Sequence, residues 1–180
     1  LRRTADKVFL NVDNPYLCKM ASERNLQHDP ERPYSLVIPY GVEYSHAEVL
    51  PSSPEYPFLR MKLQECQVST NLVGSYNADN VMAALAVGTY FGVELMDAVA
   101  AIEAYVPSNN RSQMTRTASN TLIVDAYNAN PTSMAAALEN FSNVQSSHKI
   151  AMLGDMLELG QDSVGEHTGI IAQASEADID

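Results

Sequence analysis

Basic residues are scarce in this chain: 11 lysines and arginines face 22 aspartates and glutamates, for a net charge of −11 over 180 residues. A nucleic-acid or anionic-membrane partner calls for a basic patch, so both are disfavoured. A nucleotide, which needs only a few local donors, is not. Cysteine is scarcer still. Cys18 and Cys66 lack metal-site spacing and are too few for a disulfide framework, which points to a reducing, cytoplasmic setting. No apolar run is long enough to span a bilayer, and the first residues lack a signal-peptide pattern. A G-x-x-x-x-G-K-S/T loop is absent, and with it the backbone amides that cradle nucleotide phosphates and the lysine that reaches them. An initiating Met is absent too; the chain opens on Leu1, and we read it as a piece of a longer protein.

What is present begins with a 46% hydrophobic content, enough for a core in one ordinary domain or two small ones. The most informative stretch is TLIVDAYNANPTSM, from Thr121 to Met134. Leu122, Ile123 and Val124 form a short apolar run suited to a strand buried on both faces. Asn130-Pro131 is a helix start, because Asn caps free N–H groups and Pro has none to waste. Met134, Ala137, Leu138 and Phe141 then make one helical stripe. Asp125, Tyr127, Asn128 and Asn130 therefore sit between a strand and a helix, where ligands bind in open α/β sheets.

The rest of the chain supports an α/β reading. Val8 to Val12 predicts a strand, Asn14-Pro15 a second capped helix with Leu17, Met20 and Ala21 on its buried side, and Leu36 to Ile38 a parallel partner strand. Gln27 to Pro33 is a polar connection, and Ser45 to Pro57, with Pro51, Pro54 and Pro57, reads as a loop. From Phe58, Leu59, Met61 and Leu63 alternate with polar residues as in a half-exposed strand, with Val68 to Val73 as its antiparallel partner. Helices are predicted from Gly74 to Gly92 and from Glu94 to Ala104, with a polar break at Pro107 to Asn110. A further strand at Lys149 to Leu153 precedes a helix from Ser163 carrying Val164, His167, Ile170, Ile171 and Ala174.

Several polar groups invite a chemical reading. Asn77 and Asn80 share one face near a helix N-terminus, and carboxamides match the donor and acceptor edge of adenine. By residue type alone a simple helix cap is the commoner role. Arg111 offers guanidinium donors for phosphate or ribose oxygens, against the alternative of a solvated linker charge. Asp125 serves either a ligand or its own turn. Asp155, Glu158 and His167 are too sparse to make more than a weak metal set.

Five stretches carry a family resemblance in order along most of the chain: FLNVDNPYL, GSYNADN with its Ala-rich continuation, NRSQ, DAYNANPTSM, and LGDMLELG ending in EH. Together they resemble the Mur ligases of bacterial cell-wall synthesis. DAYNANPTSM is similar to the branch that adds D-alanyl-D-alanine to UDP-N-acetylmuramoyl-tripeptide; other Mur ligases and folylpolyglutamate synthases are expected to differ at this turn. The resemblance implies that residues 1–110 are the C-terminal part of a P-loop-type central ATP-binding domain, without its P-loop. Residues 111–180 would be the N-terminal part of a Rossmann-like C-terminal domain. It implies ATP and Mg²⁺ as cofactors, Asn77 with Asn80 at the base, and Arg111 and Asp125 holding ATP, the carboxylate on the ribose hydroxyls. Tyr127, Asn128 and Asn130 would line the cleft that receives the dipeptide. The family often has His where this chain has Tyr76. Its P-loop, metal-binding Glu and His, and UDP-gripping domain precede the region matched by Leu1, so no catalytic residue or metal ligand is expected here.

The parent reaction so implied activates the tripeptide carboxylate as an acyl phosphate, which the D-Ala-D-Ala amine attacks. Two other readings stay open: an amide ligase of the same superfamily with another acceptor, and a noncatalytic nucleotide-binding module. The isolated chain is expected to be inactive, and either to self-associate through uncovered sheet edges or to be marginally stable.

Overall fold

The computed structural model describes residues 7–26, 36–53, 56–108, 110–111, 113–146, 148–177 and 179. The connection predicted at 27–33, and Pro54, Asn109 and Ser112, lie outside them. The described chain forms two compact units: residues 1–50, 60–70 and 77–105, and residues 51–59, 71–76 and 106–180.

In the first unit β1 (Val8–Asn11) and β2 (Val37–Tyr40) pair in parallel, Val8 opposite Val37 and Asn11 opposite Tyr40. Helix α1 (Pro15–Glu23) starts as its sequence dictates: Asn14 accepts hydrogen bonds from the N–H groups of Tyr16 and Leu17, with Pro15 at the first turn. Its buried side is narrower than expected. Ala21 packs with Leu26, Val37, Val8, Leu10 and Leu36, whereas Leu17 and Met20 are exposed. Periodicity fixes a face of a helix but not whether anything covers it. Past β1, Asp13 accepts hydrogen bonds from the N–H groups of Glu43 and Tyr44, tying together the loops at the carboxyl ends of both strands. Gly41 leaves room for that carboxylate, which any Cβ there would overlap.

Helix α2 (Ala78–Tyr90), entered through a 3₁₀ turn at Ser75–Asn77, packs on β1, β2 and α3 (Leu95–Ala104). Val81, Met82 and Leu85 of α2 and Ala98 and Val99 of α3 are buried. Gly92 ends α2 as its sequence position predicts. Its φ of 87° lets its own N–H reach Thr89 O and the N–H of Val93 reach Gly88 O, closing a Schellman motif.

The predicted ribbon forms as a three-stranded sheet in the order β3 (Glu48–Leu50), β4 (Phe58–Leu63), β5 (Cys66–Val73). Leu59, Met61 and Leu63 are buried in alternation, as the pattern required. Strand β3 corrects the loop reading of 45–57: Glu48-Val49-Leu50 is too short to show a period, and its pairing with Lys62-Met61-Arg60 comes from across the sheet.

In the second unit, β6 (Gln113–Arg116) and β7 (Thr121–Val124) form an antiparallel hairpin closed by Thr117, whose hydroxyl accepts the N–H of Asn120. Strand β6 was not anticipated. The flanks of β7 are also more open than its apolar run predicted, with Leu122 exposed and Ile123 and Val124 half-buried. Helix α4 (Pro131–Ser142) begins in a reciprocal capping box: Asn130 Oδ1 accepts the N–H of Ser133, and Ser133 Oγ accepts the N–H of Asn130. Leu138 of α4, Met156 and Ile170 of α5 (Ser163–Glu176) make the core, with Met134, Ala135, Leu159 and Ala174 against it.

The strand expected at Lys149 to Leu153 does not form; residues 148–157 run without regular structure. A strand is held by a partner's ladder, and here Ile150, Met152 and Leu153 are exposed instead. The covered side of α5 is also narrower than expected: Ile170 is buried and His167 and Ala174 half-buried, while Val164 and Ile171 are exposed.

The fold is thus mixed α/β, as the sequence indicated. Among the described residues no helix is long and apolar enough to cross a membrane.

Candidate functional site

Strand β7 delivers Asp125 at its carboxyl end, and the turn before α4 carries Tyr127, Asn128 and Asn130. All four side chains are exposed. The N–H of Ala126 donates to the carbonyl of Asn110 at 2.8 Å. That bond joins the residue after Asp125 to the residue before Arg111, so it brings the backbone segments that carry them together. The guanidinium of Arg111 lies over the ring of Tyr127, 3.6 Å from its centroid, a cation–π stack on an exposed aromatic. Tyr127 is therefore neither a core packing residue nor isolated; it props the cation. The hydroxyl of Tyr76 donates to Asp125 Oδ2 at 2.8 Å.

Asn130 is occupied by its capping box, which holds the turn and α4 together. Asn128 contributes its carbonyl oxygen, 3.5 Å from Ser133 Oγ, to the same turn. The turn thus offers a carboxylate and carboxamides, with the Arg111 guanidinium brought to it by the stack on Tyr127, a set able to receive a polar ligand bearing hydroxyl and anionic oxygens.

In the first unit Asn77 is buried and Asn80 exposed at the start of α2. Asn77 occupies the N-cap position without capping through its side chain. Instead its Oδ1 accepts a hydrogen bond from Asn80 Nδ2 at 3.1 Å, so the two carboxamides do share a face. The simpler capping role is thus not what the Asn77 side chain performs.

Near the start of α5, His167 Nδ1 meets the carbonyl of Ser163 at 2.7 Å and Nε2 lies 2.8 Å from Asp155 Oδ1. Nε2 also accepts the N–H of Met156 at 3.2 Å. With its proton on Nδ1 the neutral ring satisfies the two backbone groups; the charged ring exchanges the Nε2 acceptor of the Met156 N–H for a donor toward Asp155. The Ser163 carbonyl first, and the Asp155 carboxylate second, raise the His167 pKa above its ordinary value. Glu158 does not complete a metal set with them, and among the described residues no three His, Cys, Asp or Glu side chains gather as one.

Sequence reading missed the Tyr76–Asp125 bond and the Arg111–Tyr127 stack. No local pattern announces them, because each joins residues from separate elements.

Comparisons with known proteins now bear on this geometry. Residues 110–180 match the family model described as Mur ligase, glutamate ligase domain. The UDP-N-acetylmuramoyl-tripeptide–D-alanyl-D-alanine ligase of Bacillus subtilis is 41% identical over 91 residues, covering 49% of this chain and 20% of that protein. A crystal structure of MurF from Acinetobacter baumannii superposes with a TM-score of 0.74 at 25% identity, covering 96% of this chain and 37% of that one. A MurF ligase from Thermotoga maritima in complex with ADP shares the fold, with a TM-score of 0.68 at 18% identity over 94% of this chain and 38% of that one. The chain therefore spans about a fifth of the curated relative and under two fifths of the solved structures. With its α/β elements and its relatives in agreement, residues 110–180 match the Mur ligase family's glutamate ligase domain, and the chain as a whole is similar to the ligases named MurF.

Proposed function

We propose that this chain is part of a cytoplasmic ATP-dependent ligase that joins D-Ala-D-Ala to UDP-N-acetylmuramoyl-tripeptide in peptidoglycan synthesis. The observation that supports this most directly is the turn after β7, where Asp125 accepts from the Tyr76 hydroxyl and Arg111 stacks on Tyr127, two residues further on. A carboxylate and a guanidinium held at the same turn, one by Tyr76 and the other by Tyr127, suit the hydroxyls and the anionic oxygens of one nucleotide. The relatives add weight, being named for that reaction, one of them with ADP bound.

In this reading ATP with Mg²⁺ supplies the phosphoryl group that activates the tripeptide carboxylate. The donor set of the chain fits the sugar and base ends of the nucleotide. Asp125 accepts from the ribose hydroxyls, Arg111 donates to ribose or phosphate oxygens, and Asn77 with Asn80 offers carboxamides to the adenine edge. Residues for the phosphates and for Mg²⁺ belong to parts of the ligase outside this chain, which has no P-loop. Tyr127, Asn128 and Asn130 border the place where the dipeptide amine arrives, with Tyr127 also steadying Arg111. Residues 1–110 and 111–180 are then portions of the central and C-terminal domains.

Kinetics of the full-length ligase test this. Arg111→Ala and Asp125→Ala each remove charge-assisted hydrogen bonds worth about 1.5–3 kcal/mol, so the KM for ATP should rise roughly tenfold to a hundredfold. Asn128→Ala should raise the KM for the dipeptide instead. Three variants with both Michaelis constants unchanged would remove this turn from the site.

A further inference from the structure

We infer that Tyr76 is a positioning residue for nucleotide binding: its phenol O–H, donated to Asp125 Oδ2 at 2.8 Å, sets the orientation in which that carboxylate meets the ribose hydroxyls. The inference rests on the nucleotide reading of Asp125 proposed above.

An aspartate at the end of a strand has two torsions to settle, and an exposed one settles them only if a neighbour holds it. Asp125 is exposed. A phenol is a suitable holder, because it donates one hydrogen bond in a direction set by a rigid ring and adds no charge. The ring of Tyr76 is itself held. It lies against Gly74, where any Cβ would overlap the ring, and Gly74 has a φ of 97°, a conformation that favours glycine. Val73 and Gly74 are buried at the end of β5, so the turn that carries Tyr76 leaves a fixed strand. The chain of support thus runs from β5 through Gly74 to the Tyr76 ring, and from its hydroxyl to Asp125. In sequence, Tyr76 is also the residue immediately before Asn77. One short turn therefore carries a proposed base contact and the holder of a proposed ribose contact.

A phenol that orients the ribose acceptor should matter for ATP in proportion to the ribose hydroxyls. The test uses the full-length ligase with Tyr76→Phe, Asp125→Ala and the double variant, assayed with ATP and with 2′,3′-dideoxy-ATP. The Phe ring keeps the packing against Gly74, so folding is preserved and only the hydroxyl is lost. Tyr76→Phe is expected to raise the KM for ATP about threefold to tenfold at unchanged kcat, the effect of one hydrogen bond. It should leave the KM for the dideoxy analogue in place, so the preference for ATP over the analogue shrinks by the same factor. In the Asp125→Ala background the Phe change should add nothing.

A merely structural role would move both nucleotides alike. If Tyr76→Phe leaves the ATP preference intact while Asp125→Ala abolishes it, the positioning role is overturned and the nucleotide reading of Asp125 stands. If Asp125→Ala also leaves the preference intact, the nucleotide reading itself fails and this inference with it. An additional loss in the double variant overturns the inference as well, since Tyr76 would then act through another group.

Discussion

At the scale of single residues, the charged groups of this chain act through what holds them. Tyr127 lies under Arg111, Tyr76 bonds Asp125, and the Ser163 carbonyl and Asp155 grip His167. The last of these has a consequence for pH. The folded state binds the His167 proton more tightly than the unfolded chain does, because its pKa is raised above the ordinary 6.5. The resulting stability is fully present below the unfolded pKa and is lost as pH rises through the higher folded value. Thermal unfolding followed from pH 5 to pH 9 should therefore show a Tm that declines across this window. His167→Gln, which cannot take up a proton, should flatten that decline; an unchanged profile would mean that the Asp155–His167 pair contributes nothing to folding.

At the scale of elements, helix starts and stops are governed by a few side chains. The capping box at Asn130 satisfies two otherwise orphaned groups at the start of α4, and α4 supplies Leu138 to the core it shares with Met156 and Ile170. Asn130→Ala should cost about 1 kcal/mol of stability, while Asn130→Asp, which keeps an accepting oxygen, should cost far less. Denaturant titration of both variants measures this, and equal losses would show that the cap is not what Asn130 contributes. The same box fixes the turn that carries Tyr127 and Asn128, so on the proposed dipeptide role of that turn a loosened cap should also raise the KM for the dipeptide in the full-length ligase.

At the scale of the whole chain, two outcomes follow. Phosphoryl transfer depends on charge positioned around the phosphates, and this chain has no P-loop. The isolated chain should therefore release no phosphate from ATP, even with Mg²⁺, tripeptide substrate and dipeptide supplied. Measurable Mg²⁺-dependent release by a clean preparation would contradict this. Large apolar side chains also stand in water: Met152 is 90% exposed, Val164 80%, Ile150 and Leu157 71% each. The β6–β7 hairpin is a two-stranded sheet, a form with little stability of its own in water. Exposed apolar surface and unpaired edges favour association. Light scattering should accordingly report a mass that grows with concentration, or thermal unfolding a low transition; a monodisperse monomer with one cooperative transition at high temperature would refute both.

The features that the sequence determined by itself are those whose physics is complete within a turn or two. Asn14-Pro15 and Asn130-Pro131 start helices because the cap, its acceptor and the missing proline N–H are neighbours along the chain. Gly92 stops α2 because a positive φ is a property of one residue. The alternation from Phe58 to Leu63 shows a strand because its period is written in six consecutive side chains. The turn from Asp125 to Asn130 was legible for the same reason, lying between a short apolar run and a capped helix. Tertiary structure decided whatever depends on a partner from elsewhere. Lys149 to Leu153 has the composition of a strand but no ladder to join, and β3 and β6 have weak composition but a partner each. Leu17, Met20, Val164 and Ile171 lie on apolar faces left exposed among the described residues. The bonds that hold Arg111 and Asp125 belong to this second class, because a hydrogen bond between distant residues exists only once the chain has brought its two ends together.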